Sequence, residues 1–184
     1  MRPPAFLLLT LCTAEGILVH EKETEELRME LQLTDRSAEG VIKLVKAMID
    51  PSLPLVSNLS NLARVLYEGF NDVLWAGFYF SDETRTALYL GPYQGPLACT
   101  KIPFGKGVCG GAAARQETLL VPNVHEFPGH IACSSESNSE VVVPILKHGE
   151  TVAVIDLDSR NLSNFSEADA ELLKEIALIM VDLF

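Results

Sequence analysis

EVVVPILKHGETVAVIDLD, residues 140–158, carries the reading that decides the fold. Residues 140–146 are rich in Val and Ile and read as a strand, and residues 151–158 read as a second. The connection His148-Gly149-Glu150 is short and polar and folds the two back as an antiparallel hairpin. Upstream, VLWAGFYF (73–80) is aromatic and β-prone. A polar turn over 81–86 joins it to ALYLG (87–91), a second hairpin, and TLLV (118–121) adds a short strand. Pro92 to Cys99 reads as loop. Helical spacing flanks these strands. In residues 36–49 it places Val41, Leu44, Val45, Met48 and Ile49 on one face, and Asp50-Pro51 ends the helix. In residues 58–70 it aligns Leu59, Leu62, Leu66 and Phe70, with Ser57 or Asn58 as N-cap. Ser166, with Asp169 three residues on, starts a last helix over 167–184, whose buried stripe is Ala170, Leu173, Ile176, Ala177 and Met180. Hairpins without a repeated βαβ unit predict an α+β fold, an antiparallel sheet with helices packed on one face.

The chain has 184 residues, 48% hydrophobic and 21% charged, a globular composition. No repeat, low-complexity run or linker follows residue 35, so one domain over 21–184 is expected, with residues 1–20 as an unmatched extension. That extension has one Arg, a short apolar run from Ala5 to Cys12 and then small residues. It reads as signal-like or as a disordered leader, and the run is too short to span a membrane. Residues 20–34 are Glu-rich and read as a polar helix. Sequons at Asn58, Asn161 and Asn164 bear on the argument only in a secreted chain. A net charge of −11 argues against nucleic acid and against anionic membrane surfaces as partners.

Four cysteines, Cys12, Cys99, Cys109 and Cys133, include no CxxC pair, so neither a zinc ribbon nor a thioredoxin-type dithiol is indicated. Residues 122–139 form a long loop, and a loop of that length inside a compact domain is usually functional. It carries His130 and Cys133. A thiol attacks as thiolate, which a neighbouring donor or cation favours, and His130 is placed to supply one. The competing reading is a plain buried cysteine and a histidine that pins the loop. Cys99 and Cys109 flank a glycine-bearing segment that lacks phosphate-loop spacing. Three thiols in loops around one sheet offer a nucleophile, a resolver and a spare, or are scattered buried cysteines. Asp156 and Asp158 alternate on a strand and share a face, and Glu140 can join them. Converging acids hold an ammonium group or keep one proton to donate; alternatively they cap turns. Trp75 and Tyr79 also share a face, as an aromatic box for a thioether methyl or a cation, or as ordinary core.

Taken together, WAGFYF (75–80), LGPYQGPLACTKIPFGKGVCGGAAA (90–114), VPNVHEFPGHIACSSESNSEVVVPI (121–145) and VIDLDS (154–159) resemble the free methionine-(R)-sulfoxide reductase family, built on a GAF domain. With flanking helices the resemblance spans residues 36–184, and FPGHIAC with the cysteine spacing sets this family apart from GAF domains in general. The resemblance implies a GAF-like fold and reduction of free methionine (R)-sulfoxide, with no cofactor and no metal. It implies Cys133 as catalytic nucleophile, Cys99 as resolving cysteine and Cys109 as a third thiol able to form a disulfide. Glu140, Asp156 and Asp158 correspond to pocket acids, and Trp75 and Tyr79 to the aromatic wall. A thioredoxin-type reductant, a homodimer and a cytoplasmic location are further expectations of the resemblance. One departure is Ser134, where the family usually has Asp after the catalytic cysteine. Two rivals stand beside this reading: a non-catalytic GAF-type module that binds a small ligand, and a metal site drawn from His125, His130, Cys109 and Cys133.

Overall fold

The computed structural model describes residues 35–131 and 133–184. The extension over 1–20 and the polar helix expected over 20–34 lie outside those residues. Ser37 caps the first described helix, α1 (Ala38–Met48), by accepting from Gly40 N at 3.1 Å. α2 (Leu55–Gly69) begins three residues before the helix expected at 58, so Ser57 and Asn58 are not its N-cap. The Asn58 side chain turns back instead. It accepts from Asp50 N at 2.7 Å and donates to Asp50 O at 3.0 Å, fixing the α1–α2 connection. Asn58 is buried in doing so, which removes this sequon from the surface.

Six strands follow: β1 (Val73–Ser81), β2 (Ala87–Gln94), β3 (Lys101–Pro103), β4 (Leu119–Val121), β5 (Ser139–Lys147) and β6 (Glu150–Ser159). They form one antiparallel sheet in the order β3-β2-β1-β6-β5-β4. α3 (Gly107–Arg115) connects β3 to β4, and α4 (Glu167–Met180) follows β6. The β5–β6 turn places His148 at φ 54° and Gly149 at φ 79°, the left-handed pair that matches strand twist in a two-residue hairpin. The capping box of Ser166 and Asp169 is complete, and the expected buried stripe of α4 holds at every position.

Strand alternation sorts side chains onto two faces. Ala76 and Phe78 of β1, Ala153, Ile155 and Leu157 of β6, and Val141, Val143 and Ile145 of β5 share one face with the apolar stripes of α1, α2 and α4. This is the main core. The opposite face carries a second cluster, roofed by α3 and by the loops after β2 and β4. The three longer helices thus pack on one face, as expected, and the short α3 covers the other. Among the described residues no helix is long and apolar enough to cross a membrane.

β2 runs to Gln94, three residues past the strand expected at 87–91. The reason is a bulge: the β1–β2 register steps from Gly77↔Tyr93 to Tyr79↔Leu90, so Gly91 and Pro92 together face Phe78. Proline lacks an N–H, and a bulge is where a strand tolerates that loss. α3 also starts within the glycine run, so Cys109 sits on a helix rather than in a loop. A Cβ at Gly110 would fall 2.2 Å from Pro103 O, so glycine lets α3 settle directly on β3.

Candidate active site

The second face is where the chemistry gathers. Trp75, Gly77 and Tyr79 on β1 lie beside Asp158, Asp156 and Val154 on β6, which in turn lie beside Glu140 and Val142 on β5. Register makes two rows across three strands: Trp75–Asp158–Glu140 and Gly77–Asp156–Val142. Alternation along β6 therefore aims both aspartates at one cavity, and pairing with β5 adds the glutamate. The cavity encloses about 510 Å³ including its open mouth. Every residue of the expected set except Cys99 lines it: Trp75, Tyr79, Cys109, Cys133, Glu140, Asp156 and Asp158.

The aromatic wall is larger than the sequence indicated. The Trp75 ring stacks on Tyr79 at 5.7 Å and on Tyr93 at 5.3 Å between centroids. Tyr93 fell in a segment read as loop. Gly77 makes room for the indole, since a Cβ there would lie 2.7 Å from the Trp75 ring and 2.4 Å from Tyr93 Cβ. Burial, and then the nearby acids and Cys109, hold the Tyr79 hydroxyl protonated far above its ordinary range.

Cys99 and Cys133 are joined as a disulfide with Cα atoms 5.2 Å apart, a span of 34 residues. Both are half-buried, and Cys133 faces the cavity. Cys109 is the free thiol among the described residues, buried in the first turn of α3, and it donates to Glu140 Oε1 at 3.8 Å. Burial above all, then the charges of Asp156 and Glu140, push its thiol well up from the ordinary value. The metal set drawn from His125, His130, Cys109 and Cys133 does not assemble. Cys133 is committed to sulfur, and the exposed His125 ring pairs with Asn138 Oδ1 at 2.7 Å.

Three buried acids in one wall compete to ionise. Desolvation raises Glu140 well above its ordinary value, with Asp156 and Asp158 adding to the rise. Asp156 is raised for the same first reason, with Asp158 next. Asp158 is pushed up by burial to about 6, against the bond it accepts from Ser137 Oγ. Ser137 is a site residue the sequence did not signal, because a serine-rich loop has no period to single it out. His130 lies at the rim, Nε2 4.0 Å from Glu140 Oε2. Burial, then the charge of His125, push it below the usual imidazole range, which favours the neutral ring. Two buried polar atoms have no hydrogen-bond partner among the described residues: Trp75 Nε1 and Asp156 Oδ1. Both residues border the cavity.

The GAF domain family model matches residues 52–180. The free methionine-R-sulfoxide reductase of Saccharomyces cerevisiae is 40% identical over 148 residues, covering 77% of this chain and 82% of the relative. The chain belongs to the GAF-domain family of free methionine-R-sulfoxide reductases. The Escherichia coli free methionine-R-sulfoxide reductase is 39% identical, across 71% of this chain and 78% of its own length. Among solved free methionine-R-sulfoxide reductases, that of Neisseria meningitidis in complex with its substrate superposes with a TM-score of 0.73 at 43% identity, covering 83% of this chain and 92% of that one. The reduced form from Staphylococcus aureus superposes at 0.76 and 36% identity, covering 83% and 97%.

Proposed function

We propose that this chain reduces free methionine (R)-sulfoxide to methionine with a thioredoxin-type dithiol as the final electron donor. Family membership supports an oxidoreductase, and the observation that carries the mechanism is a Cys99–Cys133 disulfide whose Cys133 lines a cavity walled by acids and aromatics.

In the reduced protein, the Cys133 thiolate attacks the sulfoxide sulfur. A carboxylic acid protonates the oxygen, the oxygen passes to the cysteine, and methionine leaves while Cys133 becomes a sulfenic acid. Glu140 suits the donor role, because burial and two neighbouring acids favour its protonated form. Cys99 then attacks the sulfenic sulfur, water departs, and the disulfide closes. An external dithiol reopens it and is itself oxidised. Asp158, at about 6, is the acid most ionised near pH 7 and suits the substrate ammonium, with the unpartnered Asp156 Oδ1 beside it. The Trp75 N–H is left for an acceptor oxygen on the substrate, and the stacked rings suit the thioether methyl. A peptide-bound residue has an amide where the ammonium would be, so the acids discriminate against it. A reducing compartment such as the cytoplasm suits a cycle that must reopen a disulfide each turn.

The test is turnover with free and peptide-bound methionine sulfoxide, each as separate epimers. Cys133→Ser should abolish turnover, and Cys99→Ser should release about one methionine per chain and then stall. Full dithiol-dependent turnover by Cys99→Ser removes it as resolver, and equal rates on free and peptide-bound substrate remove the acids as ammonium binders.

A further inference from the structure

Cys109 has no step in that cycle, yet its surroundings are chemically specific. Its Sγ and carboxylate oxygens of Glu140 and Asp156 all lie within 4.8 Å of one another, and all three side chains are buried. The shortest of these separations given by a bond is 3.8 Å, between Sγ and Glu140 Oε1. A tetrahedral zinc ion with sulfur at about 2.3 Å and oxygen at about 2.0 Å spaces its ligands about 3.3–3.5 Å apart. The triad therefore needs to contract by at most about 1.5 Å to close on such an ion. A separate observation points the same way: Asp156 is 5% exposed, and its Oδ1 finds no partner among the described residues. A buried carboxylate oxygen without a donor gains from a cation.

We infer that Cys109, Glu140 and Asp156 form a binding site for a borderline-soft divalent cation, best filled by Zn²⁺. Binding is a ligand exchange without redox change: the thiol proton and any protons on the two acids leave to solvent, and thiolate and carboxylates take the ion. Sulfur among the donors disfavours Mg²⁺ and Ca²⁺, which demand a fuller oxygen shell. With all three donors on the cavity wall, the fourth position is left for a molecule in the cavity. Because the disulfide uses Cys99 and Cys133, the site exists in the oxidised protein. On the proposed substrate reading, the ion and the substrate ammonium claim the same acids, so zinc is an inhibitor competing with substrate.

The full chain with Cys99–Cys133 closed is titrated with Co²⁺ as an optical stand-in, followed by Zn²⁺ displacement. A thiolate-to-cobalt charge-transfer band should saturate at about one ion per chain. It should persist in Cys12→Ser, which removes the remaining thiol, and vanish in Cys109→Ser. Asp156→Asn and Glu140→Gln, checked by circular dichroism, should each weaken Zn²⁺ about tenfold or more, and they keep the test open if Cys109→Ser fails to fold. No band, a band that survives Cys109→Ser, or unchanged Zn²⁺ affinity in both acid variants overturns the site. Binding is read without turnover, so its failure leaves the reductase reading intact. Zinc binding that methionine sulfoxide leaves untouched would support the metal site and count against these acids as ammonium ligands.

Discussion

Asp158 is held between two opposed effects. Burial favours its neutral form, the bond from Ser137 Oγ favours the charged one, and the balance lies at about 6. Ser137→Ala removes only the second effect, so Asp158 should titrate higher. Ionised Asp158 is the form proposed to hold the ammonium, so the acid limb of kcat/KM should move to higher pH, with about a three- to tenfold loss at pH 6. A pH–rate profile decides this, and an unmoved acid limb separates Ser137 from the site. Sequence could supply Asp156, Asp158 and Glu140 because a two-residue period on a strand is a statement about direction. It could not supply Ser137, whose value comes from a loop fold held by contacts far along the chain. Asn138, its neighbour, bonds Ser159 O at 2.8 Å and Arg160 O at 2.6 Å. His130, suggested by its spacing from Cys133, stands at the cavity rim beside Glu140, where burial lowers its imidazole and favours the neutral ring, which can still donate a hydrogen bond.

β1 and β2 make the aromatic wall as a pair, and Gly77 with the bulge opposite Phe78 sets where it stands. Gly77→Ala puts a methyl 2.4 Å from Tyr93 Cβ, a contact that neither strand can relieve without moving. Trp75 or Tyr93 must swing out of the stack. KM should rise about tenfold with a smaller change in kcat, since the lost contacts bind rather than react. Trp75 is the only tryptophan of the chain, so its emission spectrum reports the displacement directly. An unchanged spectrum with unchanged KM would show that the wall does not depend on this close approach. At this scale the helical stripes and both main hairpins were legible, because each repeats a period over many residues. The end of β2 was not, since Pro92 reads locally as a breaker and only the partner strand reveals a bulge that accepts it. Cys109 was misplaced in the same way: its glycines signal a loop until the close approach to Pro103 makes them a packing surface for a helix.

For the whole molecule the acid wall is a site maintained against the stability of the fold. Asp158 is raised from 3.8 to about 6, and Glu140 and Asp156 are raised as well. Between about pH 4 and pH 6 the folded chain therefore binds more protons than the unfolded one, so stability falls as pH rises through that window. Asp82 works in the opposite sense. Bonds from Thr86, Thr84 and Ala87 lower it from 3.8 to about 2, so its contribution is present above about pH 4 and lost as pH falls towards 2. A net charge of −11 adds self-repulsion on the alkaline side. Without substrate and in metal-free buffer, the thermal midpoint should peak near pH 4–5 and decline towards pH 8. The Asp158 share of that decline, discounted for its partial exposure, is about 1–3 kcal/mol. Glu140→Gln keeps the shape of the protonated acid but cannot ionise, so its midpoint should decline less steeply towards pH 8 than that of the wild type, while turnover is damaged. Bound methionine, whose ammonium favours ionised acids, should flatten the pH dependence of the wild type and leave the variant little changed. A calorimetric series across pH 4–8 measures all of this, and a midpoint that climbs steadily to pH 8 would mean the acids are ionised without cost and the wall is solvated.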